Sequence, residues 1–252
     1  MTAATTSAPP RSPALDRPTA MRLAATEYDR VVALLRELSP PDWRQPTDNP
    51  GWDVRALAAH MLGMAEMAAS PVEMIRQQKA AGRRGGEFID ALTAVQVEGR
   101  RSLTTEQLVD RFAKVGPKAA RGRRLAPGLM RRRAIADPQP VGDGTFEPWT
   151  FGYVLDVILT RDPWMHRVDI TRATGRSMQL MADHDGVLVA DVVREWAERH
   201  GKPFMLRLTG PAGGEWASGS GGPELELDAV EFCRVLSGRG TGEGLLGTRV
   251  PF

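Results

Sequence analysis

Cysteine and histidine are scarce in this chain of 252 residues, which holds one cysteine and four histidines. A single cysteine excludes an internal disulfide framework, and it also excludes a metal site built from several thiolates. Any metal site in this protein must therefore combine few histidines with ligands of another kind.

Long apolar runs and an excess of one charge are also missing. No stretch approaches the roughly 18 apolar residues of a membrane-spanning helix, so we expect no membrane partner. Lys and Arg number 33 and Asp and Glu 31, which gives a net charge of +2 and argues against a dedicated nucleic-acid binder. The first residues have neither the basic start nor the apolar core of a signal peptide, and we therefore expect a cytoplasmic protein.

Composition and apolar spacing divide the first part of the chain into a tail and a series of helices. Residues 1–20 hold four prolines among small side chains, which predicts a disordered tail. Apolar residues at helical spacing predict helices, the second of them capped by Asp53, and the proline-rich segment 116–150 is expected to be mostly loop. The predicted helices cover 20–38, 53–69, 71–81, 87–101, 105–115, 150–175 and 185–200.

The pattern changes beyond residue 177. Residues 204–209 and 224–228 alternate with period two, as half-buried strands do, and the glycine-rich stretch 213–222 between them is typical of a hairpin. Asp228 is placed to cap a last helix that runs through Leu236. We therefore predict an α+β fold, with a helical domain over 21–177 and a small α/β domain over 178–252.

Two motifs place histidines on predicted helices. His60 lies on an otherwise apolar helix, where a satisfied core histidine is the alternative interpretation. Asp162 and His166 are four residues apart, so a helix places the carboxylate and the imidazole on one face. Two histidines and one carboxylate from facing helices form the open site that catalytic metals use. An ordinary Asp–His pair at the surface is the alternative to such a site.

Pro163 lies inside the second motif and allows two interpretations. In a continuous helix it removes one backbone hydrogen bond and kinks the helix. At the first helical position it would instead make Asp162 an N-cap, which turns the carboxylate toward backbone amides. The apolar pattern runs on from Leu155 to Ile170, which favours the continuous helix.

An arginine-rich stretch over 121–133 is the strongest local concentration of charge. As a nucleic-acid patch it would bind phosphates in a salt-sensitive way, which would suit a regulator. The stretch has no interleaved aromatic residues and contains glycine and proline, so a solvated loop is the favoured interpretation. We accordingly expect no nucleic-acid partner.

The segment from Gly51 through Trp52, Asp53 and Leu57 to His60, followed by Asp162-Pro-Trp-Met-His166-Arg-Val-Asp169, resembles the mycothiol-dependent maleylpyruvate isomerase family. These are actinobacterial members of the DinB-like metalloenzymes. The resemblance implies a DinB-like four-helix bundle followed by a small, sterol-carrier-like α/β domain. It also implies a divalent metal, usually zinc, held by His60, Asp162 and His166. The family has glutamate where this chain has Asp162, so direct ligation needs a closer helix or a bridging water.

The resemblance further implies a thiol-using enzyme. In the family's reaction mycothiol adds to a cis double bond, rotation follows, and elimination returns the trans isomer. The expected function is thus a metal-dependent, mycothiol-using isomerase or S-transferase, whose partners are a small electrophilic substrate and a low-molecular-weight thiol. Arg239 is the expected catalytic residue, pairing with a substrate carboxylate, and Asp169 is placed to orient a ligating imidazole. The alternatives are a solvated Arg239, a surface or helix-structural role for Asp169, and a non-catalytic small-ligand binder with a weakened metal site.

Overall fold

The computed structural model describes residues 9–142 and 144–252. Within them the α-helices are α1 Arg17–Glu37, α2 Val54–Ala69, α3 Pro71–Arg84, α4 Phe88–Glu98, α5 Thr105–Leu125, α6 Gly128–Arg131, α7 Phe151–Tyr153, α8 Leu159–Thr174, α9 Val187–His200 and α10 Ala229–Leu236. The strands are β1 Gln139–Gly142, β2 Thr145–Glu147, β3 Phe204–Thr209, β4 Gly214–Ser218 and β5 Glu224–Asp228. None of the described helices is long and apolar enough to cross a membrane.

The contacts divide the chain into two units. The bundle unit contains 17–126 and 159–179, and the mixed unit contains 127–158 and 180–252 together with the described residues that precede α1. One unit is helical and the other contains both sheets, which confirms the predicted α+β fold. The domain boundary placed between residues 177 and 178 stays a prediction.

The bundle unit is built from α1, α2, α5 and α8, with α3 and α4 inserted between α2 and α5. Helix α2 begins as predicted, because the side chain of Asp53 accepts a hydrogen bond from the backbone N–H of Ala56. Buried apolar side chains from all four bundle helices share one core, which includes Val31, Leu35, Leu57, Met61, Leu62, Leu108, Phe112 and Ile170.

Helix α5 is longer than the sequence predicts. It continues past residue 115 to Leu125 with Pro117 inside it, so the loop expected from residue 116 onward is wrong over these ten residues. Two glycines of this part of α5 allow close packing against other helices. A Cβ on Gly116 would lie 3.1 Å from the Cβ of Tyr28, and one on Gly122 would lie 2.2 Å from the carbonyl oxygen of Ala68.

Helix α8 runs without interruption from Leu159 to Thr174, with Pro163 inside it. The alternative in which Asp162 caps a new helix is therefore wrong. A π-helical turn over Val154–Ile158 precedes α8, and the helix ends as predicted before Gly175, which has a φ of 67°.

The arginine-rich stretch is not a solvated loop throughout, which corrects the favoured interpretation. Its first five residues complete α5, and the side chains of Arg123 and Arg131 are buried. Arg131 forms an ion pair with Asp156 within the mixed unit. Two of its arginines therefore belong to the interior of the protein.

The mixed unit contains a three-stranded sheet in the order β4-β3-β5. Strand β3 is antiparallel to β4 and parallel to β5, with Leu206 opposite Trp216 on one side and Leu225 on the other. The indole of Trp196 packs edge-on against Phe204 and Phe232, at centroid distances of 4.9 and 5.4 Å. The strands predicted over 204–209 and 224–228 are confirmed, and so is the Asp228 cap of α10.

The mixed unit also contains the hairpin of β1 and β2, which lies in the segment predicted to be loop.

The disordered tail predicted over residues 1–20 is wrong for its described part. Residues 1–8 lie outside the described residues, but the backbone N–H of Arg11 donates to the carbonyl of Pro148 at 2.8 Å. Helix α1 begins at Arg17, before the predicted end of the tail, because Pro18 is compatible with a first helical turn.

Candidate metal centre

Two helices of the bundle unit bring His60, Asp162 and His166 together. His60 lies on α2 and the other two on α8, and one ligand atom from each residue lies within 4.8 Å of the others. Asp162 Oδ2 is 3.6 Å from His60 Nε2, and Asp162 Oδ1 is 3.4 Å from His166 Nε2. The two imidazole rings are nearly perpendicular, with centroids 5.3 Å apart. The carboxylate therefore lies beside the Nε2 atoms of both rings.

The other nitrogen of each imidazole has its own acceptor. His60 Nδ1 donates to Gln96 Oε1 at 2.7 Å, and His166 Nδ1 donates to Asp169 Oδ2 at 3.0 Å. Asp169 Oδ2 also accepts from Asn49 Nδ2 at 3.0 Å, which fixes the carboxylate. With Nδ1 of each ring held as a donor, the Nε2 atoms that face Asp162 are the nitrogens available to a metal, once His166 has lost its second proton.

The centre is largely shielded from solvent. Both histidines and Asp169 are buried, and the indole of Trp52 packs against the His60 ring at a centroid distance of 5.3 Å. The side chain of Asp162 keeps 18% of its surface exposed, but its Oδ2 atom is buried. The centre is therefore packed among side chains, and Asp162 is its one partly exposed member.

The charges of Asp162 and His166, both on α8, shift each other's pKa. Burial by itself would lower the pKa of His166, but the adjacent Asp162 carboxylate outweighs burial and raises that pKa to about 9. Burial likewise opposes ionisation of Asp162, yet the charges of His166 and His60 hold its pKa well below the usual range. Without a metal, Asp162 and His166 thus form an ion pair at neutral pH.

The residues present fit a divalent metal. Tetrahedral zinc, with bonds of 2.0 to 2.1 Å, separates neighbouring ligand atoms by about 3.3 Å. Each imidazole Nε2 lies 3.4 or 3.6 Å from a different oxygen of Asp162, and one ligand atom from each of the three residues lies within 4.8 Å of the others, which is compatible with a shared metal after small adjustments of the side chains. Asp162 Oδ2 is buried and accepts no hydrogen bond from the described residues. The aspartate side chain therefore approaches both imidazoles, although it is shorter than the glutamate that the resemblance implies at this position.

Arg239, the expected catalytic residue, lies in the mixed unit in a glycine-rich loop that follows α10. Its backbone N–H donates to the carbonyl of Arg234 at 2.9 Å, and it lines a surface concavity together with Arg249. The role predicted for Arg239 toward a substrate carboxylate stays a prediction.

Sequence reasoning missed Gln96 and Asn49, the partners of His60 and Asp169. Gln96 carries one visible signal, since it is a polar residue between Val95 and Val97 in α4. Asn49 lies in a turn, where asparagine is common, and nothing in the local sequence distinguishes it.

Comparisons with known proteins give the chain its family. The model of the mycothiol maleylpyruvate isomerase N-terminal domain matches residues 24–171. The crystal structure of the mycothiol-dependent maleylpyruvate isomerase is similar over 90% of this chain and 91% of that chain, with a TM-score of 0.57 and 14% identity. The crystal structure of a histidine-to-alanine mutant of that isomerase is similar over the same fractions of the two chains, 90% and 91%, with a TM-score of 0.54 and 13% identity.

At these identities the two crystal structures show a shared fold, and no curated protein matches the sequence. The family model spans more than half of the chain and includes His60, Asp162 and His166. The chain belongs to the mycothiol maleylpyruvate isomerase family.

Proposed function

We propose that this protein is a metal-dependent, mycothiol-using isomerase or S-transferase that acts on a small electrophile. One observation carries the proposal: His60, Asp162 and His166 converge with both Nε2 atoms directed at one carboxylate, in a chain of this family. We take zinc as the metal, because two imidazoles and a carboxylate suit it and leave a coordination position open.

The chain's own residues would hold the metal and fix its surroundings. His60, Asp162 and His166 supply the ligands, and Asp169 keeps the proton on His166 Nδ1 so that Nε2 stays available. When bound, zinc supplies a positive charge that keeps a thiol in its thiolate form at neutral pH. The packing of Trp52 against His60 limits the access of water to this side of the centre.

The thiol must come from outside the protein. Cys233, the chain's one cysteine, is buried in α10 within the mixed unit. In the proposed isomerisation the thiolate sulfur forms a bond to one carbon of a cis double bond, and the π bond breaks as its electron pair shifts toward the electron-withdrawing group on the other carbon. Rotation about the resulting single bond and elimination of the thiol then give the trans isomer, with no net oxidation. Arg239 is proposed to pair with a substrate carboxylate, and the cytoplasm to be the compartment that supplies the reduced thiol.

Metal analysis of the purified protein beside a His60→Ala variant tests the proposal. We expect the wild type to bind about one equivalent of zinc and the variant to lose most of its affinity, since a ligand is missing. A wild-type protein that binds no divalent metal when it is supplied would remove the main support for an enzyme. Metal binding without thiol-dependent turnover of maleyl-type electrophiles would favour a non-catalytic binder.

A further inference from the structure

We infer that Gln96 of α4 is a positioning residue for the metal centre, which determines the nitrogen through which His60 ligates the metal. The inference rests on the proposed function, because it concerns the same centre. It extends the site to α4, which is not one of the four bundle helices and supplies no ligand.

The hydrogen bond between Gln96 and His60 has only one direction. Gln96 Oε1 is an acceptor and lies 2.7 Å from His60 Nδ1, so the proton must be on that nitrogen. The amide nitrogen of Gln96 lies 3.3 Å from the sulfur of Met67, which fixes the orientation of the amide group. The side chain of Gln96 is fully buried, so water cannot replace it as the acceptor. Nε2 of His60 is thereby left as the metal-binding nitrogen.

A glycine on α2 makes room for this contact. Gly63 follows His60 by one helical turn, and a Cβ there would lie 2.6 Å from Cγ and 2.7 Å from Cβ of Gln96. Real Cβ atoms essentially never approach other carbons so closely, and both atoms lie near the start of the glutamine side chain. Any larger residue at position 63 would push Gln96 away from α2 and so away from His60.

A buried ion pair anchors Gln96 from the other side. Arg100 Nη1 donates to the backbone carbonyl of Gln96 at 2.7 Å, and Nη2 of the same guanidinium pairs with Glu66 of α2. The side chains of Arg100 and Glu66 are 3% and 7% exposed. These contacts connect the end of α4 to α2, the helix that carries His60. They also fix the backbone position of Gln96.

The two imidazoles differ in the charge of their acceptors. His166 donates to the carboxylate of Asp169, whereas His60 donates to the neutral amide of Gln96. The carboxylates of Asp162 and Asp169 already balance the charge of one divalent cation. A third carboxylate at position 96 would add an uncompensated buried charge, which is costly. A neutral acceptor therefore orients His60 without adding charge.

Zinc affinities of matched variants test the inference. Gln96→Met keeps the size of the side chain but removes the acceptor, and we expect zinc to bind about 10- to 100-fold more weakly, as is typical when the outer partner of a ligating histidine is lost. Gln96→Glu keeps the acceptor but adds a buried charge, so it should bind zinc more tightly than Gln96→Met while unfolding more readily than the wild type. Gln77→Met is the matched control, because Gln77 is also fully buried and hydrogen-bonded but contacts Gly63 and Glu73 instead of a ligand.

The visible absorption of the Co²⁺-loaded proteins gives a readout that a loss of stability alone would not change. We expect the bands of Gln96→Met to shift and those of Gln77→Met to match the wild type. If Gln96→Met does not fold, Gly63→Ala tests the same contact, and Gly82→Ala is its control because a Cβ there meets nothing within 4 Å. Gly63→Ala should weaken zinc binding and Gly82→Ala should not.

The outcomes separate this inference from the proposed function. Zinc binding that is lost in His60→Ala but unchanged in Gln96→Met and Gly63→Ala would overturn the role of Gln96. The same result would still support the proposed metal centre. A wild-type protein that binds no zinc, or binds it equally well after His60→Ala, would overturn both.

Discussion

Arg123 donates from Nη1 to the backbone carbonyl of Leu159 at 2.9 Å, and this carbonyl belongs to the residue four positions before Pro163. Proline has no N–H, so α8 itself cannot supply the donor that the Leu159 carbonyl would receive in a regular helix. Arg123 of α5 supplies it instead, and the helix continues through Pro163 to His166. A side chain of one bundle helix thus compensates for a proline beside a candidate ligand on another.

Replacing Arg123 with Met should destabilise the protein by about 2 to 3 kcal/mol, because a partly buried carbonyl loses a charged donor and the buried hydroxyl of Thr160 loses its guanidinium partner. Urea unfolding measures the loss. Pro163→Ala restores the backbone N–H at position 163, so the double variant should lose less stability than the sum of the two single variants. Strict additivity of the two changes would show that Arg123 does not compensate for Pro163.

A second buried contact holds α8 against α1. Arg167 Nε and Nη2 donate to the two carboxylate oxygens of Glu27 at 2.5 and 3.1 Å, and both side chains are almost fully buried. Glu27→Gln leaves the guanidinium without its counter-charge, and we expect a loss of about 3 to 5 kcal/mol in the free energy of unfolding. The control is Glu98→Gln, which breaks the exposed ion pair with Arg84 and should leave the unfolding midpoint nearly unchanged. Equal losses of stability in Glu27→Gln and Glu98→Gln would contradict a stabilising role for the buried ion pair of Glu27 and Arg167.

Metal binding should release a proton. The pKa of His166 is about 9 in the metal-free protein, so its imidazole is charged at pH 7.5 and must lose a proton before Nε2 can ligate. We expect about one proton per zinc at pH 7.5 from this group, falling toward none above pH 9. Calorimetry in buffers of different ionisation enthalpy measures the number. The same proton release at pH 7.5 and at pH 10 would contradict the raised pKa.

The contact of α5 with α2 predicts a large effect of one methyl group. A Cβ on Gly122 would lie 2.2 Å from the carbonyl oxygen of Ala68, so Gly122→Ala must move one of the two helices. We expect a loss of about 1 to 3 kcal/mol, as overpacking typically costs. Gly82→Ala, in an open helical position, should be neutral or stabilising by up to about 1 kcal/mol. Thermal unfolding of both variants checks the difference, and a neutral Gly122→Ala would be the contrary result.

The sequence contained enough to predict the helices that carry the candidate ligands and the two strands with strict alternation. Asp53, with a helical apolar pattern behind it, marked the start of α2, and the spacing of Asp162 and His166 placed both on one face of α8. These features are local, since each depends on residues within a turn or two of one another. The convergence of His60 with that face was expected from the resemblance.

The full length of α5 and the contact of Gln96 with His60 depend on segments that are distant in sequence. Pro117 predicts a break, but it lies within α5, where Gly116 and Gly122 pack against Tyr28 and Ala68 of other helices. Gln96 reaches His60 across 36 residues of sequence through a contact that Gly63 permits. Propensity describes a residue's own backbone and cannot show which helix will pack against it.

Thiol-dependent isomerisation tests the central claim most directly. Zinc-loaded wild-type protein and His60→Ala would be given maleylpyruvate with and without mycothiol, and the conversion from cis to trans would be followed. We predict conversion by the wild type only when the thiol is present, and a loss of at least about 100-fold in the variant, since a metal ligand is gone. Equal conversion by wild type and His60→Ala, or conversion that does not depend on the thiol, would contradict a metal- and thiol-dependent isomerase.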